Sequence, residues 1–300
     1  MEEGIVKPKS QRHRRVLEQR APKIFENDKT ALFIRGGNTS NIITTALQEL
    51  HMMKKPGSIL FKKRNISRPF EDASSIEFLT KMNDASLFLF GSHSKKRPNN
   101  LVIGRTYDRQ VLDMFELGIE SFKSFKDFLG EKCGIGAKPC LIFNSENFET
   151  DSELRRLKSL FIDFFRGPVV SNVTLKGLEH VMSFTVVDEK ILLRNYKVNL
   201  KKSGTRTPRI ELQEMGPNFD FILRRTKLAS DDLYKRACRK PKAAKVSKVK
   251  NISRGNLGEK RGRIHMTKQD MGSLQLRKVK ALKRKLPTAN DGDKKTKTSD

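Results

Sequence analysis

The chain has 300 residues, a length typical of one large domain or two ordinary ones. It carries 62 Lys and Arg against 34 acidic residues, and the net charge of +28 favours a polyanionic partner. Three cysteines without framework spacing exclude a disulfide scaffold and fit a reducing compartment. No apolar run reaches the roughly 18 residues of a membrane span, and the first residues lack the apolar core of a secretory signal.

The basic charge is concentrated towards the C-terminus. Residues 240–300 contain 19 Lys or Arg, 5 acidic residues and no aromatic residue, so they hold half of the net charge. Such a composition buries too little apolar surface to offset the entropy of ordering. We therefore predict a basic tail that is disordered alone or ordered by a partner. Two clusters in it, at residues 240–242 and 283–285, are typical of nuclear-import signals and predict a nuclear protein.

The first part of the folded region is predicted to alternate strands and helices. Short apolar runs bounded by turn residues predict strands at residues 30–35, 58–61, 86–90 and 101–103. Apolar spacing after Ser40 predicts a helix that ends at Pro56, and residues 76–82 predict a shorter one. The Phe-rich stretch 111–128 is interpreted as a third helix.

The second part repeats the first in outline. A strand at 139–143 precedes a helix at 152–165, capped by Asp151 or Ser152 and ended at Gly167. This order indicates a weak internal duplication. Alternating apolar residues then predict strands at 181–187, 191–200, 209–213 and 219–223, with a basic helix at 228–239. We expect an α/β body made of two similar lobes.

Signals for catalysis are poor. The glycines at Gly134 and Gly136 lack the third member of a dinucleotide loop and precede a strand, whereas a phosphate loop precedes a helix. The five histidines have no metal-ligand spacing. The sequence therefore predicts no catalytic residue, no metal and no cofactor. An RNA-modifying enzyme remains an alternative, as does a general basic nuclear RNA- or DNA-binding protein. A helix-turn-helix would need two tight helices near residues 111–129, where the spacing of the Phe residues instead indicates a packed core.

Basic clusters at the ends of elements are the better signal. In an α/β body such ends can share one rim, where several cations could follow a phosphate backbone. For any single cluster, a solubilising role is the alternative. The predicted RNA-binding residues are Lys54, Lys55, Lys62, Lys63, Arg64, Lys95, Lys96, Arg97, Arg224, Arg225 and Lys227.

Two motifs carry a resemblance to a known family. They are Gly-Leu-Glu-His at residues 177–180 and a Gly-Pro turn before an alternating Phe-x-Phe-x-Leu-Arg-Arg strand at residues 216–225. Residues 28–235 resemble the Brix-domain proteins of eukaryotic ribosome assembly. The stretches 29–38, 54–57 and 92–99 are similar to the family member that handles 5S rRNA.

The resemblance implies a fold and an activity. It implies a Brix domain of two anticodon-binding-like lobes with a pseudo-twofold, about 28–130 and 131–235, between a basic extension at 1–27 and a tail at 236–300. It implies a non-enzymatic nucleolar factor that binds 5S rRNA with its two ribosomal proteins and recruits this particle to the large-subunit precursor rRNA. The implied heterodimer partner is the regulator of ribosome synthesis protein. A structural role is implied for the family-motif residues Gly177, Glu179, Gly216, Pro217 and Phe219.

Overall fold

The computed structural model describes residues 8–21, 23–24, 26–170, 172–205, 207–241 and 250–268. These residues fall into two compact units, of which the first reaches residue 241 and the second comprises residues 250–268. In these ranges no helix has both the length and the apolar character that a membrane crossing requires.

The first unit contains six helices and ten strands among its described residues. The helices are α1 (Gln11–Arg20), α2 (Asn41–Lys54), α3 (Ser74–Met82), α4 (Asn147–Thr150), α5 (Ser152–Phe165) and α6 (Asp231–Ala237). The strands are β1 (Ala31–Gly36), β2 (Ser58–Asn65), β3 (Leu87–Ser92), β4 (Asn100–Tyr107), β5 (Gln110–Lys123), β6 (Cys140–Phe143), β7 (His180–Val187), β8 (Lys190–Lys201), β9 (Arg209–Glu214) and β10 (Asn218–Lys227). The second unit holds a hairpin of β11 (Ile252–Arg254) and β12 (Lys260–Gly262).

All ten strands of the first unit form one sheet. Their order is β2-β1-β3-β4-β5-β10-β8-β7-β6, and β9 pairs with β8 beside β10. The pairs β1–β2, β1–β3 and β6–β7 are parallel, and the other pairs are antiparallel. At the middle of the sheet β5 and β10 run antiparallel, with Phe219 opposite Phe122. The two halves of the chain therefore share a single continuous sheet.

Each half of the sheet has the same connectivity. In the first half a parallel pair, β1 and β3, is followed by the antiparallel strands β4 and β5, with α2 between β1 and β3. In the second half β6 and β7 form the parallel pair, α5 lies between them in sequence, and β8 and β10 follow. The first half adds β2 and α3. The predicted α/β class with two similar halves is confirmed, whereas the exact lobe and domain boundaries stay predictions.

The main core lies under α2 and α5 and joins the two halves. Phe33, Leu47, Phe161, Phe184 and Phe219 belong to one cluster of buried side chains, each at most 2% exposed. Burial of each such side chain contributes about 1.5–3 kcal/mol, so this cluster is a large part of the stability of the sheet. On the opposite face of the first half, α3 covers a second, smaller cluster.

The prediction of a helix at residues 111–128 is wrong. Residues 110–123 form β5, and only Phe125–Asp127 make a short 3-10 turn. Every residue from Leu112 to Ile119 is buried, because β5 is a central strand that is covered on both faces. Such a strand shows no polar–apolar alternation, and its apolar run cannot be told from a helix by periodicity alone. A helix-turn-helix near residues 111–129 is excluded with it.

Two other differences concern the ends of the chain. The final basic helix is α6, shorter than the predicted 228–239, and α1 was not predicted at all. The hairpin of β11 and β12 lies in the predicted disordered tail, closed by a hydrogen bond from the Gly255 N–H to the Glu259 carbonyl at 2.9 Å. Residues 242–249 and 269–300 of that tail, which include the basic cluster at 283–285, lie outside the described residues.

Candidate nucleic-acid interface

A groove lies at the carboxyl ends of three parallel strands. Because β1, β2 and β3 run in the same direction, the loops that follow them meet at one edge of the sheet. These loops comprise residues 37–40, 66–73 and 93–99 and border a groove of about 990 Å³. The buried side chains of Phe90 and Val102 also line it.

Hydrogen bonds fix two of these loops to each other. The His93 N–H donates to the Asn38 carbonyl at 2.8 Å, and the Asn99 N–H donates to His93 Nδ1 at 3.1 Å. The Ser40 hydroxyl, which also caps α2, donates to Asn99 Oδ1 at 2.7 Å. The basic residues of the loop after β3 are therefore presented from a defined backbone.

Charge distinguishes this groove from the cavity at the other end of the strands. Five cationic side chains and two carboxylates line the groove, namely Arg64, Arg68, Lys96, Arg97, Arg225, Glu71 and Glu116. The opposite cavity, of about 1040 Å³, has five cationic side chains and five carboxylates: Lys23, Lys29, Lys81, Arg105, Arg109, Glu26, Asp28, Asp84, Asp108 and Asp163. A polyanion is therefore favoured at the groove and not at the opposite cavity.

Glu116 on β5 is the centre of the charged wall of the groove. Its side chain is only 1% exposed. Asn100 Nδ2 donates to Glu116 Oε1 at 2.7 Å, Arg97 Nη1 lies 3.4 Å from the same oxygen, and Arg225 Nε donates to Oε2. Two guanidinium groups thus share one buried carboxylate and leave an excess positive charge beside the groove. The Arg225 guanidinium also lies 4.3 Å from the centre of the Phe70 ring.

Arg224, which the sequence predicted to face RNA, is half-buried and uses both terminal nitrogens on protein atoms. Its Nη1 donates to Asn100 Oδ1 and its Nη2 to the Pro98 carbonyl, both at 3.0 Å. It crosses Gly118 so closely that a Cβ there would lie 2.4 Å from Nε of Arg224. Burial lowers the pKa of Arg224. Its contacts support a structural role, the attachment of the loop after β3 to the sheet.

Lys54 is not supported as an RNA contact, because the fold buries it. The residue is 7% exposed, and its ammonium group lies 6.0 Å from the centre of the Phe164 ring. Burial lowers the pKa of Lys54, while the nearby carboxylates of Asp28 and Asp163 partly oppose this effect. Its place on the buried face of α2 explains the difference from the sequence-based expectation.

The other predicted RNA-binding residues are exposed in three places. Lys62 and Lys63 lie on β2 just before Arg64, and Lys95 lies in the loop after β3. Lys55 follows α2 and precedes β2, so it lies towards the opposite end of the parallel strands. Lys227 ends β10 opposite Met114, also away from the groove. The fold thus gathers Arg64, Lys96, Arg97 and Arg225 at the groove, and RNA contacts by the predicted residues stay predictions.

The two motifs that carried the resemblance meet at a buried asparagine. Asn195 on β8 places Oδ1 3.1 Å from His180 Nε2 and donates from Nδ2 to the Pro217 carbonyl at 2.5 Å. Burial lowers the pKa of His180, and the hydrogen bond with Asn195 only partly opposes it. The Glu179 carbonyl accepts a hydrogen bond from the Val198 N–H at 2.8 Å. The motif at residues 177–180 is therefore bonded to β8 at a second point.

The turn at Gly216 and Pro217 is closely packed. Gly216 has a φ of 72°, and a Cβ there would lie 2.6 Å from the Phe128 ring, so a side chain would be both strained and obstructed. Beyond the turn, Phe219 is fully buried and stacks on Phe221 with ring centroids 5.1 Å apart. Gly177 ends a 3-10 turn over Leu175–Gly177. The structural role that the resemblance implied for these positions stays a prediction.

Sequence reasoning missed the residues that organise the site. Glu116, Asn100 and Asn195 are all buried, and none of them was a candidate. A signal was present for Glu116, because it and Asp113 are the two carboxylates within the apolar run 112–119. Acidic residues are rarely fully buried unless they are paired, so their place in this run indicates partners elsewhere in the chain. The described residues contain no cluster of three or more side chains suited to hold a metal ion.

The family model for the Brix domain matches residues 36–225, from the end of β1 to Arg225 in the groove. The chain belongs to the Brix-domain family. The resemblance drawn from residues 177–180 and 216–225 is thereby confirmed.

Named relatives of this Brix-domain chain are ribosome production factor 2 homologs. The Bos taurus protein is 58% identical over 259 residues, which span 86% of this chain and 85% of that protein. The Homo sapiens protein is 58% identical over 254 residues, 85% of this chain and 83% of that protein. Among solved structures, a probable ribosomal biogenesis protein from Aeropyrum pernix K1 has a TM-score of 0.44 and 9% identity, covering 67% of this chain and 99% of that one.

Proposed function

We propose that this chain is a non-enzymatic ribosome assembly factor. It acts in the nucleolus, where it binds 5S rRNA with its ribosomal proteins and recruits this particle to the large-subunit precursor. The observation that carries the proposal is membership of the Brix-domain family, with relatives called ribosome production factor 2 homologs along more than four fifths of the chain. The net charge of +28 agrees with a partner made of RNA.

The groove supplies the mode of RNA binding. Arg64, the adjacent pair Lys96 and Arg97, and Arg225 come from three separate segments of the chain and line one surface at the end of the parallel strands. Contacts of this kind neutralise phosphates and carry no base sequence. Selectivity for 5S rRNA then depends on shape, because the fold holds the cations at set positions while the phosphate path differs from one RNA to another.

Protein partners belong to the same proposal. They are the regulator of ribosome synthesis protein, as heterodimer partner, and the two ribosomal proteins of the 5S particle. Exposed apolar side chains support such contacts: Ile210 is 62% exposed and Leu212 is 53% exposed, and their spacing places both on one face of β9. A partner chain that covered this face would remove apolar surface from water.

Filter binding with 5S rRNA, bulk tRNA and duplex DNA tests the proposal. At physiological salt we expect 5S rRNA to bind at least about tenfold more tightly than tRNA, a difference of about 1.4 kcal/mol. Equal affinity for all three would mean a general polyanion-binding protein. In cells, crosslinks should fall on 5S rRNA and the large-subunit precursor, and crosslinks mainly to messenger RNA would contradict the proposal.

A further inference from the structure

We infer that the groove binds one unpaired RNA nucleotide, with its phosphate against Arg97 and Arg225, and that Glu116 is the residue that positions both guanidinium groups. This inference rests on the proposed RNA binding and specifies the form of RNA that the groove takes.

Glu116 holds the two arginines in place before RNA arrives. Arg97 comes from the loop after β3 and Arg225 from β10, so no local sequence relationship sets the distance between them. The buried carboxylate contacts both, and the two cations together with the Asn100 amide compensate its desolvation. Arginines fixed in this way lose little side-chain entropy when a phosphate binds.

Arg225 keeps donors available for a phosphate. It uses Nε on Glu116, and its guanidinium group lies over the Phe70 ring. Among the residues that the structure describes, neither Nη1 nor Nη2 of Arg225 has a hydrogen-bond partner. Two such nitrogens in one plane match the geometry of two phosphate oxygens, the strong bidentate form of this contact.

An apolar side chain beside the cations offers a surface to a base. Ile66 lines the groove between Arg64 and Arg68 and is 95% exposed. The flat face of an unstacked base would cover it while the neighbouring cations hold the backbone. Together with Phe70, which is partly buried in the same groove, Ile66 gives the site an apolar side as well as a charged one.

The size of the groove favours an unpaired nucleotide over a duplex. Its volume of about 990 Å³ falls within the range of a small-molecule site, roughly 300–1000 Å³. In an A-form duplex the bases are paired and stacked inside the helix, so a duplex could offer only its outer phosphates to the rim. A bulged or looped nucleotide can place both its phosphate and its base in the groove.

The test compares two RNA duplexes of about 16 base pairs, the span that double-stranded RNA modules cover. They have the same sequence, except that one contains a bulge of unpaired uridines. The full-length chain is measured as wild type and as Glu116→Gln and Glu71→Gln. Both substitutions remove one negative charge from the groove, but Glu71 is exposed and pairs only with Arg68, at 3.0 Å, among the described residues.

The two substitutions should act in opposite directions. Glu116→Gln should weaken binding of the bulged duplex by at least about tenfold, because the arginines lose their anchor, and should leave the paired duplex within about twofold. Glu71→Gln should modestly strengthen binding of both duplexes. If Glu116→Gln strengthened binding of the bulged duplex as Glu71→Gln does, only the net charge of the groove would matter and the positioning role would be wrong.

A further variant keeps the inference testable if Glu116→Gln impairs folding. Ile66 is exposed, so Ile66→Ser should fold normally and weaken only the bulged duplex, by several-fold. Equal binding of both duplexes by the wild type, or an Ile66→Ser variant that binds both as the wild type does, would overturn the inference. A wild type that prefers the bulge but binds 5S rRNA no better than tRNA would contradict only the proposed function.

Discussion

Arg105 on β4 places its guanidinium group on the carboxylate of Asp113 on β5, with Nη2 at 2.6 Å and Nε at 3.1 Å from Oδ2. Asp113 is fully buried, and its other oxygen lies 3.5 Å from Arg156 on α5 and accepts from the Ala229 N–H at 3.2 Å. One carboxylate therefore connects two central strands with α5 and with the segment before α6. The Asp113 carboxylate therefore stabilises the end of the sheet that lies opposite the groove.

Removing this carboxylate should destabilise the fold strongly. Asp113→Ala should lower the free energy of unfolding by about 3–5 kcal/mol, because it removes a buried carboxylate from Arg105 and Arg156 and leaves Arg105 paired with Asp163 alone among the described residues. Denaturant titration measures the loss. Glu18→Ala is the control, since Glu18 pairs with Arg14 on the exposed surface of α1 and its loss should cost less than about 1 kcal/mol. Similar losses for the two variants would mean that the Asp113 network is not a structural centre.

Lys54 and the exposed lysines of β2 should behave differently. Lys54→Met keeps the length of a buried side chain and removes a charge that burial disfavours, so the thermal midpoint should stay the same or rise. Its affinity for 5S rRNA should stay within about twofold of the wild type, whereas Lys62→Ala with Lys63→Ala should weaken binding several-fold. Titrations with 5S rRNA at one salt concentration measure the affinities of the two variants. A large loss of affinity for Lys54→Met alone would show that Lys54 reaches RNA after all.

His180 should make stability depend on pH in the acidic range. Burial lowers the pKa of this imidazole, so below about pH 6.5 the unfolded chain takes up a proton that the folded chain does not. Stability should therefore be full above that pH and fall as the pH decreases. In His180→Gln, the thermal midpoint should fall less between about pH 7 and about pH 5 than in the wild type. The exposed His265 supplies the control, and an equal fall in His180→Gln and His265→Gln would contradict the assignment.

The tail and the groove should contribute differently to RNA binding. Deletion of residues 240–300 removes 19 cations without any aromatic group, so it should weaken binding of all RNAs alike and flatten the dependence on salt. Replacement of Arg64, Lys96 and Arg97 by Ala should instead reduce the preference for 5S rRNA over tRNA. Salt titrations of both variants with both RNAs measure this. A truncated chain that lost its preference while the groove variant kept it would place selectivity in the tail.

Local sequence patterns were sufficient to predict much of the fold. Helix α2 begins after Ser40 as predicted, and α5 is capped by Asp151, one of the two predicted caps, because a helix start depends on a few neighbouring residues. The strands predicted at residues 181–187 and 191–200 are β7 and β8, and Asp188 and Glu189 between them adopt the positive φ of a tight hairpin. The motifs at residues 177–180 and 216–225 were sufficient to predict the family.

The course of β5 could not be derived in this way. Its residues 112–119 are buried on both faces by elements from the whole length of the chain, which removes the alternation that marks a strand. Because β5 was not predicted, the sequence also did not predict where Glu116 lies or that it is the centre of the groove. For the same reason the burial of Lys54 and the protein contacts of Arg224 were not predicted, since a cluster of basic residues in the sequence does not tell which side chain packs against the protein.

The sequence by itself determined the charge, the order of most elements and the family, because composition, capping and short motifs depend on residues that are near one another in the chain. Only the tertiary structure decided which cations share a groove. Arg225 and Glu116 are 109 positions apart, and Arg97 reaches the same carboxylate from a third segment. Their meeting depends on the pairing of β10 with β5 and of β5 with β4, and strand pairing over such distances follows from the packing of the whole sheet.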